Sequence, residues 1–136
     1  MIQHTVKFRV RYAETDKMGI AHHSSYLIWF EMARIELMRS IGFSYAKAEA
    51  DGYLMPVMEA NIQYKKAVTF DQSLSITAEI NKKPGARLQY DYKIFYINEL
   101  ICEGYTVHAF MNLQNKAIKP PKQFIEKIIS YIDKEN

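Results

Sequence analysis

Three segments of this chain alternate apolar and polar residues with a period of two, and no other pattern in it narrows the fold as much. Across residues 5–12, Val6, Phe8, Val10 and Tyr12 fall on one side and Thr5, Lys7, Arg9 and Arg11 on the other. Leu74, Ile76, Ala78 and Ile80 oppose Ser73, Ser75, Thr77 and Glu79. Leu88, Tyr90, Tyr92, Ile94 and Tyr96 oppose Arg87, Gln89, Asp91 and Lys93. Such alternation marks strands that bury one face and wet the other, the habit of antiparallel sheets. Residues 56–66 and 100–112 are strand-like with less regular alternation, and the latter is apolar on both sides, as an interior strand is. Ile97-Asn98-Glu99-Leu100 and Lys83-Pro84-Gly85-Ala86 are short connections with turn chemistry, which predicts hairpin neighbours.

A sheet with one apolar face needs a cover. Residues 26–40 contain no Pro or Gly, are rich in Ala, Leu, Met, Glu and Arg, and run into Gly42, a natural stop. Only Glu31, Arg34, Glu36 and Arg39 interrupt the apolar circumference in the main, so this helix is expected to be largely buried. The hydroxyl of Ser24 or Ser25 is expected to cap it. A second helix is predicted from about Pro121, a good first-turn residue, with Phe124, Ile125, Ile128, Ile129 and Ile132 in one stripe. The order is one strand, a buried helix, four strands and a terminal helix. That is an α+β architecture, an antiparallel sheet of about five strands wrapped around a central helix. No linker, repeat or low-complexity tract divides the chain, so residues 1–136 are read as one domain.

Composition excludes several classes. The net charge is only +3, and the scattered lysines form no dense basic track, so no nucleic-acid partner is expected. Cys102 is the single cysteine, which rules out an intramolecular disulfide and fits a reducing compartment. Within its strand pattern it reads as a small buried hydrophobe. The N-terminus MIQHTVKFRV lacks a continuous apolar stretch, and the longest purely apolar run, residues 26–30, is far too short to span a bilayer. A soluble cytoplasmic protein without membrane insertion is the expectation.

The chemistry-bearing residues precede the first helix. Backbone N–H groups at a helix start have no intrahelical partners, and the macrodipole adds about half a positive charge there. Such an end holds an oxygen that is becoming an anion. Asp16 stands shortly before it, with Gly19 between them to let the backbone turn. On spacing alone, an aspartate that merely turns or caps a loop is the more usual reading.

Asp16-Lys17-Met18-Gly19-Ile20-Ala21-His22-His23-Ser24-Ser25-Tyr26, followed by Trp29-Phe30-Glu31 and Arg34, resembles the signature of hotdog-fold acyl-CoA thioesterases. The resemblance is to the branch containing 4-hydroxybenzoyl-CoA thioesterase and the Tol–Pal-associated thioesterases. It runs over residues 4–118, with Ala67 and Asp71 fitting the family's next strand entry. It implies that Asp16 is the catalytic carboxylate, attacking the thioester carbonyl or activating water as a general base. It implies that the backbone N–H of His23 polarises the thioester oxygen and that Gly19 shapes the loop. His22-His23 replaces a more usual Tyr-His pair, and Ser25 stands where many relatives carry Asn. His22 and Tyr26 are candidate substrate contacts, with Trp29, Met55, Met58 and Tyr64 as further candidates to line the pocket or simply the core. Lys82, Lys83 and Arg87 are the first candidates for the coenzyme A phosphates, and Lys65 and Lys66 the second.

Glu31 is the competing carboxylate, because another hotdog branch places its catalytic Glu on the helix. Here it is read as structural, partnered by Arg34. No metal site is expected, since adjacent imidazoles generally project apart and no ligand cluster has recognisable spacing. No cofactor is implied beyond the coenzyme A carried by the substrate. The resemblance further implies a homodimer or homotetramer with sites at the subunit interface. The rival readings are a thioester hydratase or dehydratase and a non-catalytic acyl-CoA-binding or scaffold protein.

Overall fold

The alternating segments form the strands that their pattern predicts. The structure, a computed structural model, describes residues 1–134; Glu135 and Asn136 lie outside the described residues. Its strands are β1 (Ile2–Arg9), β2 (Val57–Tyr64), β3 (Ser73–Ile80), β4 (Leu88–Tyr96) and β5 (Glu99–His108). The helices are α1 (Ser25–Ser40), α2 (Tyr45–Ala50) and α3 (Lys122–Lys134). The strands make one sheet in the order β1-β3-β4-β5-β2, with every neighbouring pair antiparallel.

The apolar face of that sheet closes over α1. Leu74, Ile76, Ala78 and Ile80 of β3 and Leu88, Tyr90, Tyr92 and Ile94 of β4 are all buried, as the alternation requires. From α1, Trp29, Phe30, Ala33, Leu37 and Met38 enter the same core. Trp29 packs on Phe8 of β1 with ring centres 5.1 Å apart, and Phe30 stacks on Tyr92 at 4.1 Å with planes only 5° apart. Each large side chain buried in this way contributes about 1.5–3 kcal/mol. The approach is close because β5 carries Gly104 where the helix lands. A Cβ there would press into the Asn61 carbonyl oxygen of β2 and come within 3.1 Å of the Phe30 ring.

Three elements of the fold depart from the expectations. Tyr12, expected on the apolar face, is 77% exposed and rests edge-on against Phe70. Pairing of β1 with β3 ends at Arg9↔Ser73, and residues 12–14 then form a 3-10 turn, so alternation no longer governs. Helix α1 is buried on one side only, because Leu27 and Ile28 face outward. Helix α2 has no counterpart among the expected elements: Ser44 accepts the Lys47 N–H at 3.2 Å to start it, and Gly52, at φ +91°, follows its end. Six residues are too few for a helical period to show in the sequence.

Gly42, at φ +82°, ends α1 as expected, and its carbonyl accepts from Lys127 of α3 at 3.3 Å. Phe124, Ile128 and Ile132 seat α3 against the core. A polar chain runs through the interior: Tyr92 Oη lies 2.6 Å from Thr106 Oγ1, which lies 2.9 Å from His108 Nε2. His108 Nδ1 lies 3.1 Å from the Met55 carbonyl. Burial pushes His108 down to about 4, so it is a neutral imidazole at physiological pH. Among the described residues no helix is long and apolar enough to cross a membrane.

Candidate active site

The segment between β1 and α1 folds back on itself as a miniature hairpin. Asp16 N–H donates to the Ile20 carbonyl at 2.9 Å, and Gly19 N–H to the Asp16 carbonyl at 3.0 Å. Gly19 takes φ +78°, a left-handed conformation that suits glycine. Isolated bridges Thr15↔Ala21 and Ile20↔Thr69 tie this loop to itself and to the segment before β3. Asp16 Oδ1 accepts the Met18 N–H at 2.9 Å, which fixes the carboxylate orientation. Its second oxygen has no hydrogen-bond partner among the described residues.

The start of α1 lines the same cleft as this carboxylate. Neither serine caps the helix, contrary to expectation. Ser25 Oγ instead donates to the Glu14 carbonyl at 2.9 Å, and Ser24 Oγ pairs with His22 Nδ1 at 2.7 Å. The Ser24 N–H reaches His22 Nδ1 at 3.2 Å, and the Ser25 N–H donates to the His22 carbonyl at 2.9 Å. The His23 N–H finds no acceptor among the described residues. That leaves a donor at the positive end of the helix dipole.

A cleft of about 340 Å³ lies between these elements, lined by Asp16, Ile20, Ala21, His23, Tyr26, Tyr64, Lys65, Lys66 and Ala67. Tyr26 is buried in its wall with Tyr64 edge-on to it at 4.9 Å, and Tyr64 Oη–H donates to the His23 carbonyl at 3.1 Å. Burial above all pushes the Tyr26 phenol up to about 12, so it stays neutral. Beneath Tyr64, the buried Cys102 thiol is likewise pushed up to about 12, mainly by burial, which makes it an inert core group. At the rim, Lys65 Nζ lies 3.6 Å from Glu103 and Lys66 Nζ 3.1 Å from Glu99.

The structure thus brings Asp16, His23 and Tyr26 together. His22 lies against His23, the rings 4.1 Å apart and tilted 32°, instead of projecting away as expected; the turn into α1 folds them onto each other. Lys82, Lys83 and Arg87 sit at the β3–β4 turn and do not line this chain's cleft; Lys83 pairs with Asp133 of α3 at 3.0 Å. Glu31 is 61% exposed and lies 3.7 Å from Arg34 Nη2, away from the cleft. Trp29 belongs to the core, Met58 is exposed on β2, and Met55 lines a different cavity of about 720 Å³ between α2 and α3. Among the described residues no group of three or more His, Cys, Asp or Glu side chains could hold a metal ion.

One residue absent from the sequence-derived candidates organises this region. Glu14 is only 5% exposed, and its carboxylate accepts Trp29 Nε1–H at 2.7 Å, the Arg11 N–H at 2.7 Å and Arg11 Nη2 at 3.1 Å. Burial by itself would raise its pKa. The hydrogen bonds from Arg11 and Trp29, with the Arg11 charge, outweigh that and hold it below the usual carboxylate range. The i,i+3 spacing of Arg11 and Glu14 is the one signal of it that the sequence carries.

A five-stranded antiparallel sheet closed over one long helix, with a cleft at that helix's N-terminus, defines the hotdog class of proteins. Residues 10–129 match the thioesterase-like superfamily, and the chain belongs to that family. The resemblance drawn from residues 16–34 is therefore borne out. A Bacillus subtilis protein named as an acyl-CoA thioesterase, YneP, is 39% identical over 89 residues, 65% of this chain and 64% of the relative. The match thus spans somewhat less than two thirds of that relative's own length. An Aquifex aeolicus protein named as an esterase is 30% identical over 118 residues, 87% of this chain and 91% of its own. Among solved structures, a DHNA-CoA thioesterase from Staphylococcus aureus superposes with a TM-score of 0.89 at 32% identity, covering 99% of this chain and 95% of that one.

Proposed function

We propose that this protein is a cytoplasmic acyl-CoA thioesterase, hydrolysing a thioester to a free acid and coenzyme A, with Asp16 as the reacting carboxylate. One observation carries the reading. Asp16 and His23 line the same cleft, and among the described residues one Asp16 carboxylate oxygen and the His23 N–H at the helix start have no hydrogen-bond partner. A thioester carbonyl oxygen placed against the His23 N–H becomes more electrophilic at carbon, and the helix dipole stabilises the oxyanion that forms. Asp16 then either adds to that carbon, forming a mixed anhydride that water opens, or removes a proton from water as the water oxygen adds. In both routes the C–S bond breaks, and the coenzyme A thiolate leaves and takes up a proton.

Thiol release from acetyl-, octanoyl-, palmitoyl- and benzoyl-CoA tests the reading, and at least one of them is expected to turn over. Hydration of an enoyl-CoA without thiol release would make the protein a hydratase. Thermal stabilisation by acyl-CoA without either reaction would make it a binding protein.

Lys65 and Lys66 on the cleft rim are the better-placed cations for the coenzyme A phosphates, ahead of Lys82, Lys83 and Arg87. Replacing both Lys65 and Lys66 with alanine is expected to raise KM roughly tenfold with little change in kcat, and to flatten its rise with salt. An unchanged KM returns the role to the β3–β4 turn.

The protein acts in this reading as a homodimer or homotetramer. Strand β2 has an unpaired edge, and Val57 and Met58 on it, with Leu27 and Ile28 on α1, leave apolar surface exposed. Light scattering is expected to give at least twice the chain mass; a monomer overturns this part.

A further inference from the structure

We infer that Glu14 is a positioning residue for the reaction, setting the relation between the Asp16 carboxylate and the His23 N–H. This rests on the thioesterase reading of the cleft. Glu14 does not itself line that cleft. It holds both ends of the loop that does. Its carbonyl accepts the His22 N–H at 2.7 Å and the Ser25 Oγ–H at 2.9 Å, so the residues on either side of the His23-Ser24 pair hang from one oxygen. Its carboxylate binds the Trp29 indole, one turn further along α1, and the Arg11 backbone at the entrance to the 3-10 turn. Asp16 follows two residues later.

The geometry of these bonds separates positioning from general stabilisation. A buried carboxylate is costly, and a well-packed apolar residue would serve the core at least as well. Here the carboxylate's donors come from Arg11 on one side of the loop and from Trp29 on the other, while His22 and Ser25 donate to the Glu14 main-chain carbonyl, and the loop between them is mostly exposed. Its other anchors are the Ala21 N–H on the Val68 carbonyl at 2.8 Å, the Tyr64 hydroxyl on the His23 carbonyl, and the Ile20–Thr69 bridge. These hold the loop against β2 and the β3 entry. Beside the Trp29–Phe8 ring contact and the Thr15–Ala21 bridge, Glu14 supplies the side-chain hydrogen bonds that, among the described residues, tie the start of α1 to the end of the strand that leads to Asp16. Displacement of about 1 Å between reacting groups costs on the order of a hundredfold in rate.

Glu14→Gln tests this. The amide keeps the size but offers one acceptor oxygen, so either the Trp29 or the Arg11 N–H faces an NH₂ group. The assay uses the acyl-CoA that the parent hydrolyses fastest, at a temperature where melting curves show each variant folded. The kcat is expected to fall roughly ten- to a hundredfold while KM changes less than about threefold. Trp29 is the only tryptophan, so its emission reports directly on the carboxylate contact and is expected to shift. A shifted emission with kcat within about twofold of the parent overturns the inference, because the contact would be lost without consequence for the reaction. Should Glu14→Gln not fold, Trp29→Phe removes the same N–H from the other side. A kcat loss of about fivefold or more is then expected, and an unchanged kcat overturns the inference. Asp16→Asn run in parallel separates the two levels. If it is inactive while Glu14→Gln is fully active, only the positioning role falls. If Asp16→Asn remains active, the reading of the cleft falls.

Discussion

Asp16→Asn is expected to lower thiol release by roughly a thousandfold while leaving the melting temperature close to that of the parent. The rate loss follows from the chemistry. An amide neither adds to a thioester carbon nor takes a proton from water at neutral pH, and positioned general bases and nucleophiles contribute about a hundred- to ten-thousandfold. The unchanged stability follows from the loop. Asn Oδ1 can accept the Met18 N–H as Asp Oδ1 does, and among the described residues the half-exposed side chain pairs with no cation that would be left behind. Retention of more than about a tenth of parental turnover, or loss of turnover in Glu31→Gln instead, would move the chemistry elsewhere. A single turnover in heavy-oxygen water then tests for an anhydride opened at the Asp16 carbon. A first product whose new oxygen is unlabelled marks an anhydride, because that oxygen came from Asp16.

Gly104→Ala is expected to destabilise the fold by about 3 kcal/mol or more, the upper range for overpacking a core. The added methyl meets the Asn61 carbonyl of β2 and the Phe30 ring of α1 together. A flexible side-chain end could swing aside. Neither of these can, since one is backbone in a paired strand and the other is stacked on Tyr92. Either β2 shifts on β5 or α1 lifts from the sheet. At about 3–5 °C per kcal/mol for a chain of this size, the melting temperature should fall by roughly 10 °C or more. Gly85→Ala is the control, because nothing lies within 4 Å of its Cβ position and its φ is not positive. It is expected to stay within about 0.5 kcal/mol of the parent. Equal melting temperatures for the two variants would show that the sheet yields at Gly104.

Much of the fold is legible in the amino-acid order alone. The β3 and β4 alternation is a local record of one-sided burial, and it holds from Leu74 to Ile80 and from Leu88 to Ile94, lapsing at Tyr96, which is only half-buried beyond the register shift at Ile94–Phe95. The helix over 26–40 holds to within a residue, as does the Gly42 stop. The failures are equally specific. Tyr12 continues the alternation along the chain, but strand pairing has already ended at Arg9. The serine hydroxyls have the chemistry of caps, yet a carbonyl eleven residues away and a neighbouring imidazole claim them. The Ile97-Asn98 hairpin is readable from its length, although a β-branched residue at φ +44° is an unfavoured occupant of such a turn. Gly104 leaves the faint signal that any glycine inside a strand leaves.

Composition and spacing are enough to specify the five strands, the covering helix and the terminal helix, because each depends on residues within a few positions of one another. The Asp16–Gly19–His23 motif is legible only through its resemblance to the thioesterase signature. The cleft is different. Its walls come from the 16–26 segment and the end of β2, some forty residues apart, and they meet only because the sheet orders itself β1-β3-β4-β5-β2 over α1. That order, set by how the whole apolar face is best buried, brings Lys65 and Lys66 to the rim and leaves Lys82, Lys83 and Arg87 off it. It also draws the Trp29 indole onto the Glu14 carboxylate, a pairing across fifteen residues that no local period records.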